Sequence, residues 1–403
     1  MLSYEQARQI VIRKIADRRI LRAPENVPIH QALGRVLAQP INADRDYPPF
    51  NRSTRDGYAV RAAEANGGAS LRCVDEIKAG DNVSKPLASG TCIQIMTGAA
   101  VPEGADAVVM VEFTKRTGEL VTFQRGTETG QSVVSRGSEA RAATPLLQSG
   151  ARLGYAELAI AAQVGATQLP CCPKPRVAIL STGDEVISID STPATFQIRN
   201  SNSVSLAAQV TLAGGEPVLL GNAADNKNDL REKITNGLQA DMLVLSGGVS
   251  MGKYDFVEAV LQEMGTEFYF DAVAIRPGKP TVFARHADKF VFGLPGNPVS
   301  TMVTFELFVV PAMDSLSGSA PRPLPLLKAR LTSTVKEKTG LAHFLPAVVA
   351  WPKDRAEVTA LPWQGSGDIA ALAKANCFLV ISEDVGEICA GDRAHILLRK
   401  DLM

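Results

Sequence analysis

Between Arg176 and Gly296 the apolar residues come in short unbroken runs, each followed by a segment with helical period. The runs VAIL, EPVLLG and DMLVLS alternate with SVSLAAQVTLAGG, NDLREKITNGLQA and YDFVEAVLQEMG. All-apolar strands alternating with helices are the pattern of a parallel sheet covered on both faces. TEFYFDAVAI reads as a further strand, and TVFARHADKFVFGLPG as a hairpin near the sheet's edge. VSTMVTFELFVVPAMDSL reads as a closing helix. Elsewhere the texture differs. LSYEQARQIVIRKI is amphipathic, with Ser3 and Gln6 placed for a capping box and Ala7, Ile10, Val11 and Ile15 on one face. Residues 43–136 hold short apolar runs bounded by Gly, Pro and Asp, the sign of strands and turns. Helical period returns in LGYAELAIAAQVGA, 153–166, whose apolar face is expected to meet that of the first helix. Short strands fill the last 80 or so residues, after the proline-rich linker GSAPRPLPLL, and read as a small barrel.

The expected fold is therefore multidomain, α/β plus β. An elongated discontinuous domain spans 1–42 and 137–171, interrupted by a β domain, 43–136. An α/β ligand-binding domain covers 172–320 and a C-terminal β-barrel 321–403. A chain of 403 residues is long enough for several cores. Lys plus Arg and Asp plus Glu are 42 each, so nothing in the net charge calls for nucleic acid or an anionic membrane as partner. No run of about 18 uncharged apolar residues is present, and the charged N-terminus is unlike a signal peptide. Six cysteines without a C-x-x-C pair are expected as inert thiols of a cytoplasmic protein.

Ligands of an open parallel sheet sit beyond the carboxyl ends of its strands. The segments found there are STGDE with Asp184 and Glu185, NAADN with Asp225, SGGVSMGKYD with Asp255, RPGKP with Arg276 and Lys279, and LPGNP with Pro295 and Pro298. Gly247 and Gly248 let main-chain N–H groups approach an anion, and Ser246 and Ser250 add hydroxyls. Asp255 would repel a bare phosphate unless a divalent cation lies between them, and Asp184, Glu185, Asp225 and Asp255 have the hard oxygen chemistry Mg²⁺ takes. Arg276 and Lys279 supply positive charge. In the β region, Asp56 is either a plain turn residue or part of a cleft wall. Thr97 and Glu139 lie in similar polar turns. Ser366 precedes a short helix, where a capping role is expected ahead of a ligand contact.

The segments PPF..S..DGYAV, MTGA..P.GADAVV, STGDE, SGGVS.G.YD, RPGKP and GLPGNPVS, in this order along nearly the whole chain, resemble the molybdopterin molybdenumtransferase family. The resemblance implies a cytoplasmic homodimer whose cleft lies between the α/β domain of one subunit and the β domain of the other. It implies that adenylyl-molybdopterin and molybdate are the substrates, that Mg²⁺ assists pyrophosphate cleavage, and that AMP leaves. It also makes a molybdopterin adenylyltransferase the natural substrate donor. Asp56, Glu139, Glu185, Asp225 and Asp255 match cleft carboxylates of the family, and Thr97 and Ser366 match polar positions. The chain departs from the family pattern at Asn51, Arg55, Glu139 and Arg276, where Asp, a small or apolar residue, Asp and Lys are common. A non-catalytic scaffold and a tungstate-selective insertase are the alternatives.

Overall fold

The computed structural model describes residues 1–16, 22–82, 85–248 and 256–402. They form two compact units, one of residues 1–38, 150–154 and 168–403, the other of residues 39–149 and 155–167.

In the first unit a six-stranded sheet has the order Glu216–Ala223, Arg176–Thr182, Met242–Ser246, Lys289–Leu294, Val282–His286, Glu267–Phe270. The first four are parallel, and Val282–His286 pairs antiparallel with both of its neighbours, Lys289–Leu294 and Glu267–Phe270. Alternation along these strands supplies two separate cores. Val177, Ile179, Met242, Val244, Phe290 and Phe292 point to one. Ala178, Leu180, Leu243, Leu245 and Val291 point to the other, against helices Lys227–Gly237 and Phe256–Glu263.

Two local expectations change. The hairpin is not peripheral: its strand Lys289–Leu294 lies inside the sheet, parallel to Met242–Ser246, because its Phe290, Val291 and Phe292 are apolar on both faces. The AVAI strand leaves the sheet altogether. Ile275–Arg276 pairs in parallel with Ala342–Ala350 of the C-terminal region.

That region is a closed barrel of Ala342–Ala350, Glu357–Ala360, Leu326–Leu331, Arg393–Leu398 and Cys377–Ile381, the last returning to pair with the first. Leu331, Leu345, Val358, Leu379 and Ile396 fill it.

Helix Tyr4–Ala16 begins with the expected capping box, Gln6 N–H donating to Ser3 Oγ at 3.2 Å and Ser3 N–H to Gln6 Oε1 at 3.0 Å. Its apolar face does not await the 153–166 segment. Ala7, Val11 and Ile15 are spent on the core that holds Phe308, Val310 and Met313. The closing helix runs from Pro298 to Leu316 with a π-helical turn at Phe305–Val309. Pro311 has no N–H for the carbonyl of Leu307, four residues earlier. Arg8 Nη1 takes its place, donating to Leu307 O at 2.9 Å. By length and hydropathy this 19-residue stretch would pass for a membrane span, but 83% of it is buried inside the protein, which makes it a core helix.

The second unit carries a six-stranded sheet in the order Ala107–Met110, Gly57–Val60, Thr91–Ile95, Ser70–Ile77, Leu120–Phe123, Thr114–Thr117. It packs Tyr58, Leu71, Val109 and Phe123 on one face and Ile77, Ile93, Ile95 and Val108 on the other. All six cysteines are free thiols, and burial pushes those of Cys92 and Cys377 up to about 12.

Candidate functional site

Strands Arg176–Thr182, Met242–Ser246 and Lys289–Leu294 stop level with one another: Ser181 is opposite Ser246, and Ser246 opposite Leu294. Beyond their carboxyl ends lies a cavity of about 450 Å³. Gly247 and Gly248 form part of its wall with φ of +95° and +67°. A Cβ on Gly247 would stand 2.9 Å from Thr182 Oγ1, and one on Gly248 2.8 Å from the same atom. The chain here needs glycine both for its backbone conformation and for its close approach to Thr182.

Helix Ser201–Leu212 starts at this rim. Asn200 caps it, accepting from Ser203 N–H at 3.0 Å and from Ser181 Oγ at 3.0 Å. Asn202, in the first turn, ties two loops together: its Nδ2 donates to Ser246 Oγ at 2.8 Å and to Gly296 O at 2.7 Å. Among the described residues Asn202 Oδ1 and Thr182 Oγ1 are buried without a hydrogen-bond partner, although both residues line the cavity. Buried polar atoms are rarely left unsatisfied, so the cavity offers an unused acceptor and an unused hydroxyl to a polar ligand.

Glu185 and Asp225 line the same cavity. Asp225 N–H donates to Asp184 Oδ1 at 3.0 Å and Asp184 N–H to Asp225 Oδ2 at 3.4 Å, which ties the two acidic loops together. Among the described residues no group of three or more His, Cys, Asp or Glu gathers to hold a metal by itself. The two carboxylates do fit Mg²⁺, which usually takes one or two carboxylates and completes its shell with phosphate oxygens and water.

A second cavity of about 450 Å³ adjoins the first, and both are walled by Pro280, Pro295 and Asn297. Its lining includes Arg276, Lys279 and Ser366, the two cations exposed. The RPGKP turn that presents them is anchored from below. Thr281 Oγ1 donates to Gly278 O at 2.6 Å, and Gly278, at φ +115°, sits where a Cβ would come within 2.5 Å of Thr304 Cγ2. Ser366 is not the cap of the following helix. Asp368 caps Ile369–Lys374, accepting from Ala371 N–H at 3.0 Å, because it stands directly before the first helical residue. Ser366 Oγ instead accepts from Asn297 Nδ2 at 2.8 Å, across the wall between the cavities.

The other unit holds Asp56, Thr97 and Glu139. Asp56 Oδ1 accepts from Thr97 N–H at 2.7 Å and from Thr97 Oγ1 at 2.8 Å. These two donors hold the Asp56 carboxyl below the ordinary carboxylate range. Because the folded value is depressed, the contribution of this group to stability is present above the unfolded titration range and is lost as pH falls through the folded value. Glu139 Oε1 pairs with Arg52 Nη2 at 3.0 Å.

Thus Glu185, Asp225, Ser246, Gly247, Gly248, Pro295 and Pro298 share the first cavity, and Arg276, Lys279, Pro295 and Ser366 the second. Ser250 and Asp255 lie outside the described residues. Sequence reading passed over Asn200, Asn202 and Asn297. Two asparagines in RNSNS, just before an apolar-periodic run, were the available signal for the first two.

Three family matches divide the chain. Residues 2–165 match the MoeA N-terminal region (domain I and II), residues 178–315 the probable molybdopterin binding domain, and residues 328–398 the MoeA C-terminal region (domain IV). The molybdopterin molybdenumtransferase of Bacillus subtilis is 34% identical over 388 residues, covering 94% of this chain and 90% of the relative. That of Nostoc sp. is 36% identical over 374 residues, covering 89% and 84%. That of Haemophilus influenzae is 31% identical over 400 residues, covering 98% of each. A crystal structure of the molybdopterin biosynthesis MoeA protein from Pyrococcus horikoshii is similar over 99% of this chain and 100% of that one, with 28% identity and a TM-score of 0.81. The chain therefore belongs to the molybdopterin molybdenumtransferase family of transferases.

Proposed function

We propose that the chain transfers molybdenum from molybdate to molybdopterin supplied as its adenylyl derivative, with pyrophosphate cleavage and release of AMP. The observation that carries this reading is the pair of adjoining cavities on one rim. One is lined by the Gly247–Gly248 turn and two carboxylates, the other has two cations, and Pro280, Pro295 and Asn297 wall both. A nucleotide-linked pterin and an oxyanion need that combination side by side. The Gly247 N–H is spent on Leu294 O at 3.0 Å, so the Gly248 amide, with Ser246 and Ser250, would hold phosphate. Glu185 and Asp225, with Asp255, would hold Mg²⁺, which when bound supplies positive charge to the pyrophosphate oxygens. Arg276 and Lys279 would receive molybdate. Arg276 presents a planar fork suited to two oxygens at once, and fixed cations facing developing negative charge favour the transition state over the ground state.

In the same reading the protein is a cytoplasmic homodimer of four domains, 1–42 with 137–171, 43–136, 172–320 and 321–403. A second copy brings its β domain to this rim, the source of the Asp56, Thr97 and Glu139 groups. A molybdopterin adenylyltransferase would deliver the substrate.

The direct test mixes the protein with adenylyl-molybdopterin and molybdate and follows AMP. Release is expected with Mg²⁺ and is expected to stop with a chelator. Binding of the adenylylated pterin with no AMP under either condition would mark a non-catalytic member of the family.

A further inference from the structure

Asn297 stands directly before the closing helix, where an asparagine ordinarily accepts from a first-turn N–H. Its side chain makes no such bond. The helix is served by another loop instead: Val299 N–H donates to Ser366 O at 2.9 Å. The Asn297 amide, released from capping, turns to that same loop, Nδ2 donating to Ser366 Oγ at 2.8 Å. Ser366 is therefore gripped twice, at its carbonyl by the helix and at its hydroxyl by the residue before the helix. The loop that carries it is also closed on itself. Gln364 N–H donates to Asp368 Oδ2 and Asp368 N–H to Gly365 O, each at 3.0 Å.

A hydroxyl has one hydrogen to give and two lone pairs to receive with. Asn297 engages a lone pair of Ser366 Oγ, and among the described residues the hydrogen has no acceptor. Ser366 and Asn297 line the second cavity together with Arg276 and Lys279. A serine with nothing against its lone pairs is free to turn them on the cavity and repel an anion. With Asn297 against one of them, the hydrogen is the group left to face it, and a donor fixed before the ligand arrives loses little freedom on binding.

We propose that Asn297 is a positioning residue for Ser366, making its hydroxyl a fixed third donor to the oxyanion beside Arg276 and Lys279. The inference rests on the second cavity receiving the oxyanion, as proposed above.

The test is a double-mutant cycle on molybdate binding to the full-length protein, read by calorimetry. Ser366→Ala is expected to weaken binding roughly tenfold, the worth of one hydrogen bond to a charged group. Asn297→Ala is expected to weaken it roughly fivefold while Ser366 is present, the worth of one neutral hydrogen bond. In the Ser366→Ala background the same change is expected to cost nothing, because the group it places is gone. A merely structural loss at Asn297 would weaken binding equally in both backgrounds, and that result overturns the positioning role. So does Asn297→Ala binding as tightly as wild type. Arg276→Ala separates this inference from the reading beneath it. Loss of binding there with an unaltered Ser366→Ala overturns the Ser366 donor and its positioning alone. Unaltered binding in both Arg276→Ala and Ser366→Ala overturns the oxyanion reading itself.

Discussion

Asp225→Asn is expected to slow AMP release by at least about 10²-fold while leaving the protein folded. Partners that merely support a metal ligand are worth about 10–100-fold in affinity or activity, so the loss of a ligand's charge should cost at least the upper end of that range. Asparagine keeps the size of the side chain and one oxygen for the N–H of Asp184, which now donates to Asp225 Oδ2. The loop should therefore hold its shape, and a fall in rate would report the missing charge. The check is single-turnover AMP release with thermal melting in parallel. A rate within threefold of wild type would remove Asp225 from the cation site and leave Glu185 with Asp255.

Asp314→Ala is expected to destabilise the first unit by about 3–5 kcal/mol, the usual cost of removing one partner of a buried charge pair. Asp314 is fully buried in the closing helix. Its carboxylate meets Arg152 Nη2 at 3.0 Å, Arg322 Nη2 at 2.7 Å and the Arg322 N–H at 2.9 Å. Burial, and then the neighbouring Arg322, lower the Arg152 pKa, and Asp314 opposes that shift. Deleting the carboxylate leaves two part-buried guanidinium groups without their anion. For a unit of this size the loss corresponds to a fall in melting temperature of the order of 10 °C. Both tryptophans, Trp351 and Trp363, are in the last region of the chain and within the same unit, so intrinsic fluorescence follows its unfolding. A shift below about 1 kcal/mol would mean that the arginines find water or other acceptors.

The order of strands and helices from Arg176 to Ala240 was legible because each run is apolar on both faces and each helix has its own period. What happened to AVAI was not legible. Ile275 and Arg276 have the composition of a sheet strand, and only the docking of the barrel decides that they pair with Ala342 and His343. The hairpin was misjudged for a similar reason. Nothing local in KFVFGL says whether its two-sided apolar character is covered by a neighbouring strand or by a loop, and in the structure Met242–Ser246 covers one edge of it. The role of Arg8 depends on a proline 303 residues later in the chain, a partnership that no window of sequence contains. In the candidate site, the glycines and carboxylates could be named from their places after strands. Asn202 and Asn297 could not, since each acts by bridging loops that are distant in sequence. Ser366 was misread because two residues of its loop, Ser366 and Asp368, are both good caps. Only the position of the first helical residue, Ile369, decides between them.

The central claim is that the two adjoining cavities form one site that takes a nucleotide phosphate and a tetrahedral oxyanion at the same time. A crystal of the protein soaked with molybdate and AMP together tests it most directly. The account predicts density for both in one molecule, phosphate against the Gly247–Gly248 turn and molybdate between Arg276 and Lys279. Molybdate bound away from those two cations, or each ligand excluding the other, would contradict it.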